Sequence, residues 1–222
     1  LFILIYTFKG GIKTVVWTDT LQTTFLLLAA ILTVLYILNN LDISFCQLMK
    51  ISTENGYTKL FETDWTNSKF YVKQILSGAF ITIAMTGLDQ DMMQKNLTCK
   101  TLKDAQKNVL TSSSIFVIVN LLFMCLGASL IYYAQETNFI LPTNEDGVVI
   151  NDKIFPSIAF SINTITSVIF MIGFIAAGYS SADGTLTALT TTFCFDFLHF
   201  DKNNELSENQ KTKYRKIIHI AF

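Results

Sequence analysis

The stretch Val15–Leu38, VVWTDTLQTTFLLLAAILTVLYIL, decides the fold. Its 24 residues hold one ionisable side chain, Asp19, close to the start. A helix needs about 20 largely apolar residues to cross the hydrocarbon core of a bilayer, so this stretch reads as a membrane span. Val109–Ala134 repeats the pattern with 26 uncharged residues and Ile154–Ala182 with 29. The last is longer than one crossing requires, so its first part is expected on the outer surface, ahead of the helix that enters. The composition of the 222 residues agrees: 51% are hydrophobic and only 15% charged, with mean hydropathy +0.44. Soluble domains carry about 25% charged residues. A net charge of −1 offers no basic face to nucleic acid. The chain reads as an all-α, polytopic membrane protein.

Phe70–Gln94 is a fourth span of a different kind. Its uncharged part is only Ile75–Leu88, and it carries Ser77, Gly78, Thr82, Thr86 and Gly87. A short, glycine-interrupted apolar segment marks a broken transmembrane helix whose freed backbone faces a cavity. An ordinary helix with small packing residues is the other reading. Lys and Arg in the connections set the orientation. Eleven fall at Lys9, Lys13, Lys95, Lys100, Lys103, Lys107, Lys202, Lys211, Lys213, Arg215 and Lys216, and five at Lys50, Lys59, Lys69, Lys73 and Lys153. The first set is expected to be cytoplasmic. The two sets alternate through every span, and a further helix is expected from about Ile217. Both ends lie in apolar runs, Leu1–Phe8 and Ile217–Phe222, so the chain reads as a piece of a longer protein.

Enzyme motifs are missing. The only histidines, His199 and His219, sit near the expected cytoplasmic surface, and no HExxH, GxSxG or phosphate-binding glycine loop occurs. The scattered Cys46, Cys99, Cys125 and Cys194 read as buried packing residues. Ionisable groups within spans carry more information: Asp19 and Asp183, with Asp89 and Asp91 where the broken helix leaves the membrane. Ala177, Ser180 and Ser181 fall on one helical face. A carbonyl and two hydroxyls make an uncharged hard-oxygen cluster that suits a weakly held monovalent cation. Gly178 and the serine pair are expected to loosen the helix there. Close helix packing through small residues is the alternative.

Three segments together resemble the sodium:solute symporter family. Tyr6–Gln22 (YTFKGGIKTVVWTDTLQ) resembles its first signature. Gly87–Lys95 (GLDQDMMQK), continuing to Asp104–Lys107, resembles the second, and Ala176–Asp183, ending at Phe193–Asp196, the third. The resemblance implies a ten-helix, inverted-repeat transporter core of the LeuT type. This chain would run, as one domain over residues 1–222, from the end of core helix 4 to the start of core helix 9. It implies a sodium site at Ala177, Ser180 and Ser181, completed by core helix 1, which this chain lacks. It implies a possible second cation or proton site at Asp19. Asp183 and Gly184 stand where relatives add hydroxyls, so Asp183 is included with Asp19 as a departure from the pattern. Thr82, Met85, Thr86 and Gly87 would face the solute, and Asp89 and Gln90 would form the end of a gating helix. The stretch Thr82–Thr86 lacks the aromatic and amide groups of sugar-transporting relatives, so a hexose is disfavoured. The implied partners are Na⁺ as coupling ion, a small organic solute or anion, and the lipid bilayer. No further cofactor, no other metal and no nucleic acid is implied. The implied location is a cell membrane of the bacterial inner-membrane type. A symporter-like sensor domain of a histidine kinase is the alternative function.

Overall fold

The computed structural model describes residues 12–59, 61–200 and 207–221. Leu1–Phe8, expected to end an earlier helix, and the Tyr6–Gly11 part of the first signature lie outside them. The elements are α1 (Ile12–Asn40), α2 (Phe45–Glu54), α3 (Tyr71–Gly87), α4 (Gln90–Leu97), α5 (Leu102–Glu136), α6 (Asn151–Ile162), α7 (Thr164–Thr192) and α8 (Glu208–Ala221). A π turn, Phe193–Phe197, ends α7. Among the described residues there is no strand, only the isolated bridges Glu62–Phe70 and Thr143–Val149. The all-α reading stands.

Val16–Asn40, Leu102–Glu136 and Thr164–Phe197 are each long and apolar enough to cross a membrane. The fourth expected span is modified. α3 holds 17 residues, about 26 Å at 1.5 Å per residue, short of a hydrocarbon core of about 30 Å. The helix runs unbroken through Gly78 and breaks at Leu88–Asp89, directly after Gly87. The break is therefore displaced to the end of the span. The expected surface segment before the third long helix is α6. Asn163, in extended conformation (φ −157°, ψ 160°), separates it from α7. The Asn163 side chain accepts from the Thr166 amide at 2.8 Å and so caps α7. The sequence reading missed α2, whose capping box pairs Ser44 with Gln47. The last helix begins at Glu208 rather than near Ile217. Of the four cysteines only Cys194 is buried; Cys46 is exposed, and Cys99 and Cys125 are half-buried.

The chain divides into two compact units. Unit 2 comprises Thr23–Ser77 and Val109–Phe174. Its core joins Ala30, Val34 and Ile37 of α1, Leu126, Leu130 and Ala134 of α5, and Ile158 and Ile162 of α6. A second cluster sets Ala29, Ala159 and Phe170 together, with Phe155 at 4.8 Å and Phe160 at 5.3 Å from the Phe170 ring. Small residues let these backbones approach closely. One such approach is at Gly173, where an added Cβ would lie 2.9 Å from the backbone nitrogen of Leu26. Polar groups inside are satisfied locally: Thr33 donates to the Ala29 carbonyl at 2.7 Å and Ser129 to that of Leu126 at 2.8 Å.

The connection ahead of α3, also in unit 2, is held by its own polar and aromatic contacts. Lys59 pairs with Glu62 at 2.7 Å, and Thr66 donates its hydroxyl (2.7 Å) and amide (2.9 Å) to Asp64. Lys73 donates to the Trp65 carbonyl at 2.7 Å and sits 5.4 Å over its ring. The Lys59 hydrogen bond, then the Asp64 amide, hold the Glu62 carboxyl below its usual range. The Thr66 hydroxyl and amide do the same for Asp64. A carboxyl depressed in the folded state stabilises above its unfolded pKa and loses that contribution as pH falls through the folded value. Trp65 emission, read in a Trp17→Phe variant, should therefore stay constant on acidification to the ordinary carboxylate range, about pH 4. It should shift only below that. A shift already complete above that range would contradict these contacts.

Unit 1 comprises Leu1–Gln22, Gly78–Asn108 and Ile175–Phe222. Asp89 caps α4 by accepting from the Met92 amide at 3.0 Å, and Asp91 places a negative charge in its first turn. Thr101 and Asp104 exchange hydrogen bonds at the start of α5 (2.7 and 3.1 Å). α8 is joined to α7 by the buried His219, whose Nδ1 lies 3.0 Å from the Thr190 hydroxyl. That hydroxyl donates to the Leu186 carbonyl at 2.7 Å, so Nδ1 is the donor to Thr190. Burial, and then the nearby Arg215 charge, push the His219 pKa down.

Candidate ion and solute site

Every candidate residue falls in unit 1. Two contacts organise them. The Ser180 hydroxyl on α7 donates to the Asp19 carboxylate on α1, across 161 positions of sequence. Ser180 is buried and Asp19 half-buried. Asp183, one turn beyond Ser180, is fully buried. The second contact is at Gly184, where an added Cβ would lie 3.1 Å from one carboxylate oxygen of Asp91 and 3.2 Å from the other. No pattern in the sequence indicated that α4 would seat on α7 there.

The remaining placements are mixed. Ala177 is half-buried, while Ser181 is exposed on the far edge of the same face. α7 is α-helical without interruption from Thr164 to Thr192, so the loosening expected at Gly178 is absent. A helical carbonyl retains a second lone pair after its backbone bond, so regular helix geometry still leaves Ala177 an acceptor. On α3, Thr82, Met85 and Gly87 are exposed and Thr86 is half-buried. Thr82 turns its hydroxyl back onto the Gly78 carbonyl at 2.8 Å. Asp89 and Gln90, expected at the end of a gating helix, stand at the start of α4, and both are exposed.

Chemically, the arrangement is a carboxylate held by a hydroxyl between two long apolar helices. Among the described residues no three His, Cys, Asp or Glu side chains gather closely enough to hold a metal.

The profile of the sodium:solute symporter family matches residues 1–222. The chain belongs to that family. As a symporter-family protein with three apolar helices of crossing length, it is a multi-pass membrane protein. It is 26% identical over 223 residues to a sodium/sialic acid symporter of Aliivibrio fischeri, covering 98% of this chain and 43% of that protein. It is 26% identical over 225 residues to a sodium/sialic acid symporter of Proteus mirabilis, covering 98% of this chain and 44% of that protein. A sodium/glucose cotransporter of Vibrio parahaemolyticus is 23% identical over 211 residues, covering 88% of this chain and 39% of that protein. The chain thus spans less than half the length of these relatives. No solved structure matches it significantly.

Proposed function

We propose that this symporter-family chain is part of a sodium-coupled secondary active transporter that moves a small organic anion by alternating access. The observation that carries the reading is the Ser180–Asp19 hydrogen bond. It joins the helix bearing the hard-oxygen face to the one transmembrane carboxylate of α1. In this reading residues 1–222 form one domain, running from the end of core helix 4 to the start of core helix 9. Ala177, Ser180 and Ser181 hold Na⁺. Asp19 and Asp183 serve a second cation or a proton. Thr82, Met85, Thr86 and Gly87 face the solute, and Asp89 and Gln90 end the gating helix. Two relatives are named for sialic acid, so sialic acid is the first solute to test. No observation favours the sensor-kinase alternative.

Na⁺ entering from outside stabilises the outward-facing state, and solute then favours closure. By linkage each raises the other's affinity, typically by about 1–3 kcal/mol. Each inward Na⁺ gains about 2.3 kcal/mol per 100 mV of membrane potential. In proteoliposomes holding the full-length protein, sialic acid uptake should follow an inward Na⁺ gradient and fall to background with choline. Ser181→Ala should raise the Na⁺ concentration for half-maximal uptake. An unchanged Na⁺ requirement in that variant removes Ser181 from the site.

A further inference from the structure

Ser180 and Gly184 are four residues apart on α7 and so share one helical face. That face meets two acidic side chains from different elements: Asp19 of α1 at Ser180 and Asp91 of α4 at Gly184. The two contact points are about 6 Å apart along the axis. Gly184 is buried, and the flat Asp91 carboxylate covers the place where a side chain would be, with Cγ itself 3.2 Å from the added Cβ. Asp183, fully buried, lies between the two contacts in sequence. Asp91 is therefore seated where it feels any change of charge at Ser180.

We propose that Asp91 seated on Gly184 is a positioning residue that ties the first turn of α4 to the ion-bearing segment of α7. A cation at Asp19 and Ser180 offsets the repulsion between the carboxylates and keeps α4 docked. Without the cation, Asp91 is repelled and α4 leaves Gly184. Because α4 follows α3 across the Leu88–Asp89 break, docking transmits ion occupancy to the solute-facing helix. The inference rests on the proposed reading of α7 as the ion-bearing helix.

The test keeps Asp91 in place and watches α4. Spin labels replace the exposed Leu97 on α4 and Leu189 on α7, in protein whose native cysteines are substituted, and their distance is measured by pulsed electron resonance. In Na⁺ the distribution should be narrow; in choline it should move on the order of one turn, about 5 Å. Asp91→Asn should abolish the difference between Na⁺ and choline. Gly184→Val should give the choline-like distribution even in Na⁺. A distribution identical in Na⁺ and choline with Asp91 present overturns the proposal, as does an undiminished Na⁺ response in Asp91→Asn. Sodium-driven uptake is assayed separately. A Na⁺-responsive distance without uptake would keep the latch and reject the transport reading. Uptake with a Na⁺-indifferent distance would do the reverse.

Discussion

Asp19→Asn should remove the second cation's share of the sodium dependence while leaving the protein folded. The substitution preserves side-chain shape and an acceptor oxygen, so the Ser180 hydroxyl keeps a partner and the α1–α7 contact persists. What it removes is the charge. A unit charge about 4 Å from a monovalent cation, at an effective dielectric near 20, is worth about 4 kcal/mol. Even a third of that is about tenfold in affinity. The Na⁺ concentration for half-maximal binding is therefore expected to rise by about tenfold or more. Ser180→Ala tests the same contact from the other side. It deletes the donor and leaves the Asp19 carboxylate, so it should weaken Na⁺ less than Asp19→Asn while lowering thermal stability more. Equal, small effects of the two on Na⁺ would make the contact structural only.

The second large effect concerns stability and contrasts two glycines within membrane helices of unit 2. Gly173 on α7 lies where an added Cβ would stand 2.9 Å from the Leu26 backbone nitrogen. Backbone cannot yield as a side-chain tip can, so Gly173→Ala forces α1 and α7 apart. Overpacking of this kind costs about 1–3 kcal/mol. The gain in helix propensity from Gly to Ala, about 0.8–1 kcal/mol, is smaller. Gly173→Ala should therefore lower the melting temperature, and Gly173→Leu should prevent folding of the unit. Gly127 on α5 has nothing within 4 Å of the equivalent position. Gly127→Ala should keep the propensity gain and raise the melting temperature slightly. Thermal unfolding in detergent distinguishes the pair. A stabilised Gly173→Ala protein would mean that the α1–α7 crossing is not as close as described.

The spans were legible because hydrocarbon imposes a length and an apolar composition that a sequence displays directly. Val15–Leu38 lies within α1 and Val109–Ala134 forms all but the first seven and last two residues of α5. The overlong Ile154–Ala182 divided at Asn163, because an asparagine side chain can cap the next helix as well as any loop could. The location of the break in the fourth span was not legible from its glycines. Gly78 has open space around it and keeps helical geometry, whereas the chain breaks after Gly87, where Asp89 offers a cap to the Met92 amide. The capping residue, not the glycine, was the informative signal. The Ala177–Ser180–Ser181 face was visible in its spacing, and the resemblance brought Asp19 to it. The pairing of Ser180 in particular with Asp19 depended on which helices pack together. The seating of Asp91 on Gly184 is a matter of tertiary approach alone, and a glycine within an apolar run gives no hint of what will cover it.

The most direct test of the sodium reading needs no knowledge of the solute. Equilibrium binding of radioactive sodium to the purified full-length protein, with choline replacing unlabelled salt, reads the site itself. The account predicts saturable binding that is strongly weakened in Asp19→Asn and in Ser180→Ala. Absence of saturable sodium binding in the unsubstituted protein, or binding unchanged in both variants, would contradict it.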